Sequence, residues 1–166
     1  MDRLWSPWRM QYVTSSDDGE GCIFCDHLAS GDDEKAHILH RSEHTFVLLN
    51  AFPYNTGHVM VAPLRHVRDL ADLTPEERAD LMEVTARTVE ILEEEMGAHG
   101  FNVGMNLGRV AGAGIPGHCH MHVVPRWGGD TNFMTTVGET KVLPELLDDT
   151  ARRLRPHFGS SSADAD

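Results

Sequence analysis

Apolar positions recur along this chain with two different periods. Leu81, Val84, Thr88, Ile91 and Leu92 follow the three- and four-residue spacing that lines one side of an α-helix. Thr74-Pro75-Glu76-Glu77 stands ahead of that stripe. It supplies a hydroxyl for the N-cap, a proline where no N–H is needed, and a glutamate placed to close a capping box. Gly97 can take the left-handed conformation that ends a helix, leaving Met96 as its last apolar contact. A second helix is expected from about Leu143 to Leu154.

The other period is that of strands. Thr45 to Leu49 and His58 to Ala62 are rich in β-branched and apolar residues, with Phe52-Pro53-Tyr54-Asn55-Thr56-Gly57 between them as a turn. Phe101 to Asn106 and His118 to Pro125 read as two more strands, joined by the glycine-rich run Gly108 to Gly117. These elements predict an α+β fold, a mainly antiparallel sheet with two main helices.

Length and composition narrow the picture. A chain of 166 residues with a hydrophobic share of 40% suits one globular domain with one core, so every motif should serve a single site. That domain is expected over 1–158, with residues 1–21 forming an aromatic arm and the polar Ser15 to Gly21 loop. Residues 159–166, which have nothing to bury, are expected to form a disordered tail. The net charge of −12 and scattered basic residues leave no stripe that could track a nucleic acid. Small anions remain open, because backbone N–H groups and local histidines set the field in a pocket. The N-terminus lacks the apolar run of a signal peptide and no stretch is long enough to span a bilayer, so a cytoplasmic protein without membrane contact is expected.

The chemistry concentrates in His118-Cys119-His120-Met121-His122. On a strand the three histidines would share one displayed face, while Cys119, Met121 and Val123 would share the packed one. Aligned imidazoles suit a core poorly, because each needs partners for two ring nitrogens, so they suggest catalysis or metal. The small residues just before them let backbone N–H groups approach an anion, although such a loop by itself is equally well a flexible connection.

His-x-His-x-His followed by Val123-Val124, after a glycine-rich loop, resembles the signature of the histidine triad (HIT) proteins. Further landmarks are Cys22-Ile23-Phe24-Cys25, Leu49-Asn50, Gly57 to Pro63, Ala111-Gly112 and Val123-Val124-Pro125-Arg126. Within the family the chain resembles bacterial diadenosine tetraphosphate phosphorylases (ATP adenylyltransferases) through Met1 to Trp5, Gly100 to Gly104 and Arg126 to Phe133. The resemblance implies a HIT-like fold, usually paired into a homodimer, and a nucleotidyltransferase whose substrate is an adenine nucleotide or dinucleoside polyphosphate.

By that resemblance His120 is the nucleophile, His122 donates to the transferring phosphate or leaving oxygen, and His118 orients the set or binds metal. Amides near Gly112 and Ala113 would stabilise developing charge. Asn50 would hold the ribose, Ile23 and Phe24 would flank the base, and Asn106 would face the phosphate or leaving group. A turn residue at a strand end is the other reading of Asn50, and ordinary core the other reading of Ile23 and Phe24. His58 matches a family position, and a satisfied buried histidine explains it as well.

Inorganic phosphate or water could resolve the intermediate, giving phosphorolysis or hydrolysis. The triad does not choose between them. Arg65, Arg109 and Arg126 are candidates for a second anion, and each could equally be a surface charge. Hydrolysis of dinucleotides or adenylylated amines (a phosphoramidase), and a regulatory protein that binds a nucleotide without turning it over, are the alternatives.

Three cysteines in all argue against a disulfide framework. Cys22 and Cys25 have the spacing of half a zinc site, and related bacterial proteins imply His66 and His118 as the other half of a closed structural site. A metal-free pair packed as small apolar side chains is the other reading. Cys119, on the opposite face from His118, is expected in the core.

Overall fold

The computed structural model describes residues 21–130 and 145–159. The N-terminal arm, nearly all of the Ser15 to Gly21 loop and the tail beyond Gly159 lie outside these residues. In chain order the elements are α1 (Ile23–Ser30), β1 (Ile38–Arg41), β2 (Thr45–Leu49), β3 (Val59–Pro63), α2 (Pro75–Met96), β4 (Gly100–Met105), β5 (Met121–Arg126) and α3 (Leu147–Gly159), with 3₁₀ turns at Leu70–Asp72 and Arg109–Ala111. Among the described residues five strands form one sheet in the order β1-β2-β3-β5-β4, and every neighbouring pair is antiparallel.

α2 forms where its pattern places it. The Thr74 hydroxyl accepts from the Glu77 N–H at 3.2 Å, and the Glu77 carboxylate accepts from the Thr74 N–H at 2.8 Å. Arg65 closes a fork on the same carboxylate at 2.8 and 2.7 Å. The Arg65 guanidinium, helped by the Thr74 N–H, holds the Glu77 carboxyl down at about 2. Gly97, at φ 61°, donates its N–H to Glu93 O and ends the helix.

The two faces of the sheet carry different cores. Val47, Leu49, Val59, Val61 and Val123 turn toward α2 and α3, where they meet Leu81, Leu92, Leu154 and Phe158. Phe46, Leu48, Met60 and Ala62 turn the other way and pack with Phe24 of α1. Each such burial contributes about 1.5–3 kcal/mol, which is how alternation along a strand becomes register. α1 and β1 were not among the expected elements. α3 begins at Leu147 and continues through Pro156 to Gly159, so it starts and ends later than expected and takes in the first residue of the expected tail. Leu154 and Phe158, four residues apart and both in the core, outweigh the helix-breaking proline.

β5 begins at Met121, three residues later than the strand expected from His118. The β3–β5 ladder pairs Val61 with Met121, and continuing that register would set Pro63 opposite Cys119. Proline has no N–H to give, and the Pro63 carbonyl is taken by the His118 ring at 2.8 Å. The Cys119 N–H turns instead to Val67 O at 2.7 Å. The ladder therefore stops, and the first two histidines are held by side-chain bonds.

The turn before β3 is fixed by Asn55, whose amide donates to Pro125 O at 3.0 Å and Asp130 at 2.8 Å. Gly57 completes it at φ 75°, where a Cβ would meet Met96 Sδ at 2.6 Å. Among the described residues no helix is long and apolar enough to cross a membrane.

Candidate active site and metal cluster

His118 and His120 are buried, at 0% and 3% exposure, and His122 is half-buried. This corrects the expectation of a displayed histidine face. The alternation itself holds, since Cys119, Met121 and Val123 do belong to the α2–α3 core. Burial pushes the Cys119 thiol up to about 11, as suits a packing residue.

Backbone partners set the protonation of each ring. His120 Nδ1 lies 2.9 Å from the His118 carbonyl, which can only accept, so Nδ1 carries the proton and the neutral ring has a bare Nε2. Burial lowers the pKa of His120, and the bond to His118 O only partly offsets it, which keeps the ring neutral. His118 Nε2 donates to Pro63 O at 2.8 Å, leaving its Nδ1 bare.

His122 receives its tautomer through a relay. The Tyr54 N–H donates to His58 Nδ1 at 3.0 Å, so the neutral His58 ring carries its proton on Nε2. That nitrogen lies 3.0 Å from His122 Nδ1 and donates to it. The proton of His122 is thereby placed on Nε2. The rings of His120 and His122 are 4.8 Å apart, and Tyr54 stacks on His122 at 5.9 Å. A base with a bare nitrogen thus stands beside a ring whose outer nitrogen can donate.

Cys22, Cys25, His66 and His118 offer four ligand atoms that all lie within 4.8 Å of one another. Cys22 Sγ and Cys25 Sγ stand 3.4 and 3.7 Å from His118 Nδ1, and Cys25 Sγ stands 3.3 Å from His66 Nδ1. Zinc bonds of about 2.0–2.3 Å put neighbouring tetrahedral ligands roughly 3.3–3.8 Å apart. The donor set and spacing fit that ion, and the Pro63 carbonyl supplies the outer bond that aims a ligating imidazole.

Asn50 is buried, with Oδ1 accepting from the Phe52 N–H at 2.9 Å and Nδ2 3.4 Å from His58 Nδ1. Asn106 directly follows β4, and continuing the β4–β5 register sets it opposite His120. Ile23 is exposed, whereas Phe24 is 1% exposed and touches the triad rather than solvent. The Gly112 and Ala113 amides donate to Arg109 O and Gly108 O, at 2.9 and 3.2 Å. Arg65 is committed to Glu77, and Arg126 to Asp130 at 2.6 and 2.9 Å. Arg109 lines a cavity of about 500 Å³ together with Arg68 and the glycines Gly108 and Gly117. Sequence reasoning missed Arg68 and Tyr54. The latter had one available signal, its place in a turn four residues before His58.

An antiparallel sheet that brings three such rings together defines a histidine triad protein. Residues 32–129 match the HIT domain, and the chain belongs to this family. It is 42% identical over 162 residues to the AP-4-A phosphorylase of Mycobacterium tuberculosis, covering 93% of this chain and 83% of that one. It is also 34% identical over 91 residues to the asymmetrical bis(5'-nucleosyl)-tetraphosphatase of Schizosaccharomyces pombe, covering 55% and 50%. Among solved structures it is similar to a Zn-bound histidine triad family protein from Mycobacterium smegmatis, with TM-score 0.68 and 31% identity over 84% of this chain and 94% of that one.

Proposed function

We propose that the protein cleaves diadenosine tetraphosphate with inorganic phosphate, giving ADP and ATP. The observation that carries this reading is the pair of set tautomers, a bare His120 Nε2 beside a protonated His122 Nε2. The similarity to AP-4-A phosphorylase supports the choice of substrate.

His120 Nε2 attacks the α-phosphorus of one adenylyl half, and the bond from that phosphorus to the bridging oxygen breaks. ATP departs, with His122 Nε2–H bonded to its leaving oxygen. Phosphate then attacks the adenylyl-histidine, the phosphorus–nitrogen bond breaks, and ADP leaves. Asn50 holds the ribose, Ile23 flanks the base, His58 sets the His122 tautomer and Asn106 faces the phosphates. Arg68, which also pairs with Asp69 at 3.5 Å, and Arg109 line a cavity beside the glycine-rich loop and are the candidates to meet the incoming phosphate. The Gly112 and Ala113 amides serve the transition state if that loop re-forms around the substrate.

Zinc held by Cys22, Cys25, His66 and His118 would supply a closed cross-link with no open position for chemistry. Among the described residues β4 is an open sheet edge whose Asn102, Val103 and Gly104 are exposed, and pairing it with a second copy would complete a homodimer. Nucleotide substrates and free thiols suit the cytoplasm. We further propose that 1–158 acts as one domain.

Hydrolysis is the second reading, favoured by the likeness to the tetraphosphatase. Product analysis with and without phosphate separates the two. ADP and ATP formed only with phosphate support the phosphorylase, whereas AMP and ATP in both cases establish a hydrolase. Tight nucleotide binding with no turnover would identify a binding protein instead.

A further inference from the structure

We infer that the metal cluster positions the attacking imidazole, acting through Phe24 and His118. The inference rests on His120 being the attacking group and is independent of whether phosphate or water is the acceptor.

Phe24 sits between the two thiols in the first turn of α1 and is 1% exposed. Its ring lies edge-on to His118 at 5.2 Å and to His120 at 5.1 Å, with Phe46 behind it at 6.0 Å. Packing anchors this turn, with Phe24 set in the core of Ala36, Ile38, Phe46 and Met60 and Leu28 against its margin, while little in its own sequence caps it. The cap residue Cys22 makes no side-chain cap bond, and Phe24 is the one fully buried residue of the helix. An eight-residue helix is not stable by itself. The core seats Phe24, and four ligands from three separated segments would pin the turn on either side of it.

His118 provides the second link. Its Nδ1 faces the cluster, its Nε2 donates to Pro63, and its backbone carbonyl accepts from His120 Nδ1. A ligand held at Nδ1 fixes the ring, the ring fixes the residue, and the residue's carbonyl fixes the tautomer of the nucleophile. His120 is thus braced on one side by a phenyl ring placed between two ligands and on another by the backbone of a third. Phe24 is a positioning residue that need not touch substrate.

The test uses full-length protein with ¹⁵N-labelled histidine and a measured zinc content. Four samples are compared: zinc-loaded wild type, wild type stripped by a chelator and then reloaded, Cys25→Ser without zinc, and zinc-loaded Phe24→Leu. Imidazole ¹⁵N spectra should show one tautomer for His120 in loaded wild type, a mixture in the stripped and Cys25→Ser proteins, and recovery on reloading. Phe24→Leu should keep its zinc, show the same mixture, and lose roughly tenfold to a hundredfold in kcat on diadenosine tetraphosphate, with KM within about threefold. Where metal-free protein does not fold, Phe24→Leu decides alone. Retained zinc with an unchanged His120 spectrum and unchanged kcat overturns the inference. Absence of turnover by wild type would sink the proposed activity, and the spectra would still decide this point.

Discussion

α2 and the segment His118 to His122 satisfy their polar groups in opposite ways. α2 bonds within itself, and its ends are closed by Thr74, Glu77 and Gly97, all local in sequence. The triad segment reaches outward, with the His118 ring on Pro63, the Cys119 N–H on Val67 and the His122 ring on His58. A helix that closes on itself can be read from its own residues. A site held by distant partners reveals its residue types but not its geometry, and two of the three rings take their chemical roles from those partners, His120 taking its own from the His118 carbonyl two residues away.

The comparison can be broken most sharply at its reactive end. His120→Ala should lower kcat/KM on diadenosine tetraphosphate by roughly 10⁴-fold or more, measured by product formation. Near-wild-type turnover would remove His120 from the chemistry. His58→Phe should come next, since it leaves the Tyr54 N–H without its acceptor and frees the His122 tautomer. A fall of about 10²-fold in kcat is expected, more than in KM, and an unchanged kcat would refute the relay.

At the helical end the effects should appear in stability and not in catalysis. Thr74→Ala should cost about 1 kcal/mol in denaturant unfolding while leaving kcat unchanged. A loss of activity at constant stability would mean the two regions are not separable. Glu77 adds a pH signature. Its folded pKa of about 2 lies below the ordinary 4.5, so its contribution is present above 4.5 and is lost as pH falls toward 2. The stability gap between wild type and Glu77→Gln should therefore close between those limits, and a gap independent of pH would show that the charge is immaterial. The smallest effect should be at Cys119, which should react with iodoacetamide more slowly in folded than in unfolded protein.

The parts legible in the sequence share the locality of α2. Thr45–Leu49 reads as a strand because all five residues suit a buried one. α1 escapes notice because it is short and has no capping side chain, and its shape comes from Phe24 and the cysteines meeting distant groups. β1 is four residues long with an irregular register between Ile38 and His40, too little for a period to show. At the site, His118, His120 and His122 stand out by type and spacing. Whether their face is open depends on α1 lying over it, and Arg65 looks available until Glu77 is placed beside it. The sequence spacing of Cys22 and Cys25 suggested half of the metal cluster, and the fold brings His66 and His118 to it.

The bond from His120 Nδ1 to a peptide carbonyl also bears on the second half of the reaction. Among the described residues its partner is this neutral dipole, not a carboxylate. A carboxylate would draw the Nδ1 proton toward itself and make the imidazole a poorer leaving group once Nε2 carries the adenylyl unit. A carbonyl orients the ring yet leaves that proton in place, so the adenylylated ring keeps its positive charge and its readiness to depart. On the proposed mechanism the intermediate would therefore retain a high group-transfer potential, enough for an acceptor as weakly nucleophilic as phosphate to discharge it.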